Sequence, residues 1–81
     1  MPSRIHPLPK KLYLGPDKTE IPVIVLAGID FAGKIDAVSG GAWVREENTI
    51  YLRSDMSLSR RWVAFREELM HALVDLSFPP V

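Results

Sequence analysis

The spacing of apolar residues predicts short strands in the first two thirds of the chain. Residues 11–14 alternate polar and apolar side chains, which is typical of a half-buried strand. Residues 21–27 (IPVIVLA) form an apolar run rich in β-branched side chains, which predicts a strand buried on both faces. Residues 42–45 and 49–53 predict a hairpin, because Asn48 between them suits a left-handed turn position.

Proline and glycine mark the segments between these strands. Residues 1–10 contain three prolines, which remove three backbone donors, so we expect an extended arm there. Residues 15–18 (GPDK) are typical of a turn. Residues 28–41 contain four glycines and predict a long loop or a loosely bulged strand. We therefore predict a single domain over residues 1–81, with strands and hairpins over 11–53.

Residues 57–76 have the spacing of one long helix. Ser57 and Ser59 offer the N-terminal cap, and two prolines after Phe78 prevent the helix from continuing. The main apolar stripe comprises Leu58, Trp62, Phe65, Leu69, Ala72, Leu73 and Leu76. A second apolar stripe comprises Val63, Met70 and Val74. A helix this apolar is expected to be largely buried. Strands first and a helix last predict an α+β fold, in which a small, mainly antiparallel sheet packs on the C-terminal helix.

Composition excludes several function classes. The 81 residues include ten basic and ten acidic side chains, so the net charge is zero. The chain therefore lacks the excess of basic residues that indicates binding to nucleic acid or to an anionic membrane. The absence of cysteine rules out disulfides, thiolate metal sites and a cysteine nucleophile. No apolar run approaches the roughly 20 residues of a membrane span. We expect a cytoplasmic protein with no nucleic-acid and no membrane partner. A neutral charge and a small core favour homo-oligomerisation.

One glycine-rich segment imitates a phosphate-binding loop. Residues 28–34 fit the pattern G-x-x-x-x-G-K, but Ile35 stands where a magnesium-binding hydroxyl is required. Gly40 and Gly41 also discourage the helix that should follow such a loop. A glycine-rich connection before the hairpin is the better interpretation.

The polar sector of the predicted helix concentrates the candidate chemistry. Glu67, His71 and Asp75 are spaced four apart and therefore stack along one line, with Glu68 beside them. Two side chains four apart on a helix can share a metal ion, and the residue after the first ligand can act as a general base. Ordinary pairs on a solvated helix face explain the same spacing. His6 is the only other histidine that could join such a site.

The helix resembles the active-site helix of zinc metallopeptidases, the zincins. Residues 67–71 (EELMH) are similar to the His-Glu-x-x-His motif, with glutamate in place of the first histidine. Residues 65–75 (FREELMHALVD) also match the apolar, leucine and His-Ala-Leu positions around that motif and the aspartate that follows. As in the short zincins, a hairpin strand (49–53) precedes the helix. The resemblance covers residues 41–76 and implies a zincin-like half-domain. Isolated small proteins of this kind suggest an origin in a phage or mobile element.

The resemblance implies a metal-dependent peptidase. Glu67 and His71 would bind zinc or another divalent metal, Asp75 could supply a third oxygen, and Glu68 would be the general base. Glutamate at position 67 makes the site harder and more anionic, which favours either a different ion or a member that has lost catalysis. An active member would bind a peptide substrate as an added strand on the edge of the hairpin. An inactive member would be a non-catalytic protein-interaction module that uses this edge or the surface around Trp43.

Overall fold

The computed structural model describes residues 6–27 and 40–78 of the chain. Within these ranges the chain forms four strands, one short 3₁₀ helix and one long α-helix. The strands are β1 (Lys11–Leu14), β2 (Thr19–Leu26), β3 (Gly41–Val44) and β4 (Thr49–Arg53); the 3₁₀ helix spans Arg45–Glu47 and α1 spans Leu58–Ser77. The α+β prediction is confirmed. The predicted glycine-rich loop and the G-x-x-x-x-G-K segment lie outside the described residues, apart from Gly40 and Gly41.

The strands form a single sheet in the order β1-β2-β4-β3. Two antiparallel hairpins, β1–β2 and β3–β4, are joined by the parallel pairing of β2 with β4. Val23 of β2 and Trp43 of β3 both lie opposite Ile50 of β4, which places all three side chains on one face of the sheet. The sheet is therefore mainly antiparallel, and β1 and β3 are its two edges.

Left-handed backbone conformations form both hairpin turns. Gly15 has a φ of +80° and Lys18 a φ of 51°, and the Lys18 N–H donates to the Gly15 carbonyl at 3.1 Å. In the second hairpin Asn48 has a φ of 51° and a ψ of 41°, as its position in the sequence predicts. A Cβ at position 15 would lie 3.3 Å from the Cβ of Leu76. The first turn is therefore packed against the C-terminal end of α1.

The core lies between one face of the sheet and α1. Its buried side chains are Ile21, Val23, Ile50, Leu52, Phe65 and Ala72. Half-buried apolar side chains pack around them: Leu8, Leu12, Leu14, Trp43, Trp62, Ala64, Leu69 and Leu76. Trp62 and Phe65 pack edge to face, with ring centroids 5.6 Å apart. Most of the main apolar stripe of the helix thus packs against the sheet, whereas Leu73, which the sequence also placed in that stripe, is 46% exposed.

The expected burial of β2 on both faces is wrong. Ile21 and Val23 are buried, whereas Ile24 is 38% exposed. Val25 lies on the same face as Ile21 and Val23 and is 40% exposed near the end of the strand. The side chain of Ile24 alternates to the face of the sheet opposite α1. A single helix covers only one face, and the apolar run did not predict this.

The expectation that the helix is largely buried is also wrong. Only Phe65 and Ala72 are buried among the residues of α1, and the second apolar stripe is exposed. Because the sheet contacts the helix on one side, a helix with two apolar stripes buries just one of them.

The ends of α1 follow the capping rules. Ser57, rather than Ser59, is the cap: its hydroxyl accepts a hydrogen bond from the Arg60 N–H at 3.2 Å. The Phe78 N–H donates to the Val74 carbonyl at 2.8 Å as the helix ends.

Neither helix formed by residues 6–27 and 40–78 has the length and hydropathy needed to cross a bilayer.

The described part of the N-terminal arm, residues 6–10, lies against the start of α1. It has no regular secondary structure. The Trp62 indole N–H donates to the His6 carbonyl at 2.7 Å, and the Val23 N–H donates to the Lys10 carbonyl at 2.9 Å. Leu8 packs against the core between these two points. The arm therefore bridges β2 and the first turns of the helix.

Candidate functional site

The polar sector of α1 faces the edge strand β3 across a shallow groove. This β3–α1 groove consists of two adjoining depressions, and Gly41 and Glu68 line both of them. The first depression is also lined by Gly40, Met56, Arg60, Val63, Ala64 and Glu67. The second is also lined by Ala42, Trp43, His71, Val74 and Asp75. The four candidate residues from the sequence therefore line one groove, divided between its two halves.

Strand and helix approach each other closely at Gly41. A Cβ at this position would lie 2.9 Å from Cδ2 of Leu52 and 3.3 Å from both the Cβ of Ala64 and the Cγ of Glu68. A glycine on the strand and an alanine on the helix leave enough room for this approach. As a result, the side chain of Glu68 lies against the edge of β3.

The pairing of β3 with β4 determines which backbone groups face the groove. The Arg53 N–H donates to the Gly40 carbonyl at 3.2 Å, and Ala42 lies opposite Tyr51 in the same ladder. Residues of an antiparallel strand alternate between those bonded to the neighbour and those turned away from it. The backbone N–H and C=O groups of Gly41 and Trp43 therefore point away from β4, towards the free edge.

Trp43 is attached to α1 at two points. Its indole N–H donates to Oδ2 of Asp75 at 2.7 Å, and its backbone N–H donates to the carboxylate of Glu68. Both acceptors carry negative charge, and hydrogen bonds to charged acceptors are the stronger ones. Two of the four candidate residues thus hold the helix against the edge strand.

The environment of Glu68 favours its protonated form. Burial raises the pKa of this carboxyl above its ordinary value, and the negative charge of Glu67 raises the pKa further. The charge of His71 and the hydrogen bond from Trp43 lower the pKa, but by less than burial raises it. A carboxyl with a raised pKa suits proton transfer, and the same shift also accompanies packing between a strand and a helix.

The predicted metal ligands are distributed along the groove. Glu67 lines the first depression, whereas His71 and Asp75 line the second. Across residues 6–27 and 40–78, no group of three or more His, Cys, Asp or Glu side chains is arranged to hold a metal ion. His6, whose carbonyl accepts from Trp62, lines neither depression. A metal site at Glu67, His71 and Asp75 stays a prediction.

The sequence did not predict the bond between Trp43 and Asp75. These residues are 32 positions apart, and the i,i+4 spacing of Asp75 with His71 drew attention to the helix alone. Trp43, around which the sequence placed only a possible interaction surface, is half-buried and packs against the core. The spacing of residues within one helix gives no information about a hydrogen-bond partner on a strand.

Comparisons with known proteins give no match: neither a protein-family model, nor a curated protein, nor a solved structure matches this chain. The resemblance to zincins therefore depends on the residues between positions 41 and 76 alone.

Proposed function

We propose that this chain is a non-catalytic protein-interaction module on a zincin-like scaffold, and that it binds an extended segment of a partner protein along β3. The observation that carries this proposal is the β3–α1 groove, into which Gly41 and Trp43 turn their backbone groups. An edge strand with such groups can accept a further strand, and the main-chain hydrogen bonds then supply affinity.

The roles of the acidic residues support binding over hydrolysis. Glu68 and Asp75 each accept a hydrogen bond from Trp43. A carboxylate at the position of Glu67, where zincins have histidine, adds negative charge to the set of ligands. A general base and a third ligand would have to release Trp43 before acting in catalysis. A binding groove needs no such rearrangement of Asp75.

Charge identifies the chemistry of the segment. The second depression contains the carboxylates of Glu68 and Asp75 beside the indole of Trp43. A lysine or arginine of the segment can pair with Glu68, which frees the Trp43 N–H for a carbonyl of the same segment. One charge-assisted hydrogen bond is thus replaced by an ion pair and a strand hydrogen bond. We therefore propose a β-strand-forming segment with a basic residue facing the second depression.

The test uses short acetylated peptides of alternating valine and threonine with a central lysine, titrated into isotope-labelled protein. The expected result is a change in chemical shift at the amides of Gly41 and Trp43 and at the Trp43 indole. The same peptide with a central glutamate is expected to bind more weakly. Glu68→Gln should reduce binding of the lysine peptide, whereas Glu67→Gln, a matched change in the first depression, should reduce it less.

The second edge of the sheet provides an internal control. The strand β1 (Lys11–Leu14) is also an edge, but it has no acidic groove beside it among the described residues. Shifts at residues 11–14 in place of β3, or no shifts with the lysine peptide at millimolar concentration, would contradict the proposal.

A second candidate, a metal-dependent peptidase, is favoured by the environment of Glu68. This half-buried carboxyl of raised pKa lies between Glu67 and His71 in the chain, where the resemblance puts the general base. Zinc or manganese added after a chelator should then raise the unfolding midpoint, since binding at a hundred times Kd contributes about 2.7 kcal/mol. His71→Ala should abolish this rise in the unfolding midpoint. Glu68→Gln should keep the rise but abolish peptidase activity. An unchanged midpoint with both ions rejects this candidate.

A further inference from the structure

The helix exposes an apolar surface that adjoins the β3–α1 groove, because Val63 and Val74 belong to this surface and also line the groove. Val63, Met70 and Val74 are 56%, 68% and 55% exposed, and Leu73 and Phe78 beside them are 46% and 76% exposed. The spacing of Val63, Met70 and Val74 puts them on the side of α1 that faces away from the sheet. Leu73 lies on the flank of this side, and Phe78 follows the last residue of the helix. We call these five residues the α1 stripe. No other element among residues 6–27 and 40–78 covers it.

We propose that two copies of this chain associate through the α1 stripe. The stripe exposes on the order of 500 Å² of apolar side chain, near the upper end of the roughly 300–600 Å² patches found on monomers. A standard interface buries about 800 Å² on each partner. The stripe and the polar side chains at its rim together approach that size. The expected assembly is a dimer of moderate affinity, with a Kd on the order of 10 μM.

The arrangement of the stripe fits a second copy in an antiparallel orientation. Met70 lies near the middle of the stripe, whereas Val63 and Phe78 lie at its two ends. A two-fold axis near Met70 therefore brings each end of one stripe against the opposite end of the other. The same surface is then used on both copies, as a closed two-fold dimer requires.

The polar side chains beside the stripe are complementary in this orientation. Glu67 and His71 lie along the same side of the stripe, and an antiparallel pair brings that side of one helix against the same side of the other. Glu67 therefore approaches His71 of the partner subunit, so that a carboxylate meets an imidazole. Arg66 lies on the opposite side of the stripe, away from this contact. The zero net charge of the chain adds no overall repulsion between copies.

Sedimentation velocity over protein concentrations from about 1 μM to 1 mM tests the proposal. The wild type should change from monomer to dimer across this range. Met70→Glu should weaken association at least tenfold, because two charges would meet near the axis. It should leave the circular dichroism spectrum unchanged, because Met70 is exposed. Tyr13→Lys is the matched control, since Tyr13 is 56% exposed on β1 and lies outside the stripe.

The absence of cysteine allows a second, independent measurement. Met70→Cys introduces a single thiol near the proposed axis, and a short bis-maleimide should link two copies efficiently. Glu46→Cys places an exposed thiol in the β3–β4 turn and should give little linked product. A wild type that stays monomeric at every concentration overturns the proposal and leaves the stripe to a different protein. A dimer that Met70→Glu does not weaken also overturns it.

Discussion

Replacing Trp43 by phenylalanine tests the attachment of β3 to α1. The substitution keeps an aromatic ring on the inner face of the hairpin but removes the indole N–H that donates to Asp75 at 2.7 Å. The backbone N–H of Trp43 and its bond to Glu68 stay in place. We expect the variant to fold and to be less stable, because a half-buried carboxylate loses its donor.

The expected loss can be estimated from the geometry. Hydrogen bonds to charged groups contribute about 1.5–3 kcal/mol. Asp75 is half-buried and can regain water, so the lower value applies and the loss from this bond is about 1.5 kcal/mol. For a domain of this size, that loss lowers the unfolding midpoint by about 6–12 °C. The smaller ring adds a packing loss that does not depend on Asp75.

A double-mutant cycle separates these two contributions. Urea unfolding is measured for the wild type, Trp43→Phe, Asp75→Ala and the double variant. The packing loss cancels in the cycle, and the remaining coupling energy should be about 1 kcal/mol or more. A coupling energy below about 0.3 kcal/mol would refute the reasoning, because independent sites give values of that size. The role of Asp75 as an anchor for Trp43 would then have to be abandoned.

Three further changes have expected outcomes that thermal unfolding can check. Ser57→Ala should destabilise the protein by about 1 kcal/mol because it removes the helix cap, whereas Ser59→Ala should have little effect. Gly15→Ala should destabilise because a side chain is strained at this φ, whereas Lys18→Gly, at the other left-handed position, should stabilise slightly. Burial raises the pKa of the Glu68 carboxyl in the folded protein. The protonated carboxyl therefore contributes its full stability at pH values below the ordinary pKa, and this contribution is lost as the pH rises through the raised pKa. Glu68→Gln should therefore gain stability relative to wild type as the pH rises above about 4.5. A stability advantage of the variant that grows as the pH falls would contradict this.

Local signals in the sequence were sufficient for the strands and the long helix, whereas the 3₁₀ helix Arg45–Glu47 was not predicted. Asn48 predicted the left-handed turn, and the serine before the apolar spacing predicted where the helix begins. Both signals act within a few residues, because caps and turns satisfy nearby backbone groups. The strand 49–53 and the helix, predicted over 57–76 and observed as Leu58–Ser77, followed from the same kind of information.

Burial depended on how many layers cover the sheet, which periodicity does not reveal. The apolar run of β2 predicted a strand covered on both faces, yet Ile24, on the face opposite α1, is 38% exposed. Met70 was expected to be buried and is 68% exposed. The spacing of apolar residues along a helix is the same whether they pack within their own chain or against another molecule.

The spacing of the candidate residues predicted that they share one face of the helix but not which groups they bond to, and their roles in metal binding and catalysis stay predictions. The four residues Glu67, Glu68, His71 and Asp75 do line one groove beside β3. Their spacing suggested that they act on one another, whereas Glu68 and Asp75 each bond to Trp43. The pairing of strands brings Trp43 to the helix, and strand pairing is a non-local property that helix spacing does not contain.

The positions of the two tryptophans make each one a reporter of a different opening of the molecule. Both indole N–H groups donate at 2.7 Å, Trp43 to Asp75 and Trp62 to the carbonyl of His6. Release of the arm at His6 breaks the second bond and leaves the bond between Lys10 and Val23 in place, whereas separation of β3 from α1 breaks the first. Hydrogen exchange at the Trp62 indole therefore follows local opening of the arm. Exchange at the Trp43 indole follows detachment of the helix, so two resonances resolve the stability of two parts of one small domain.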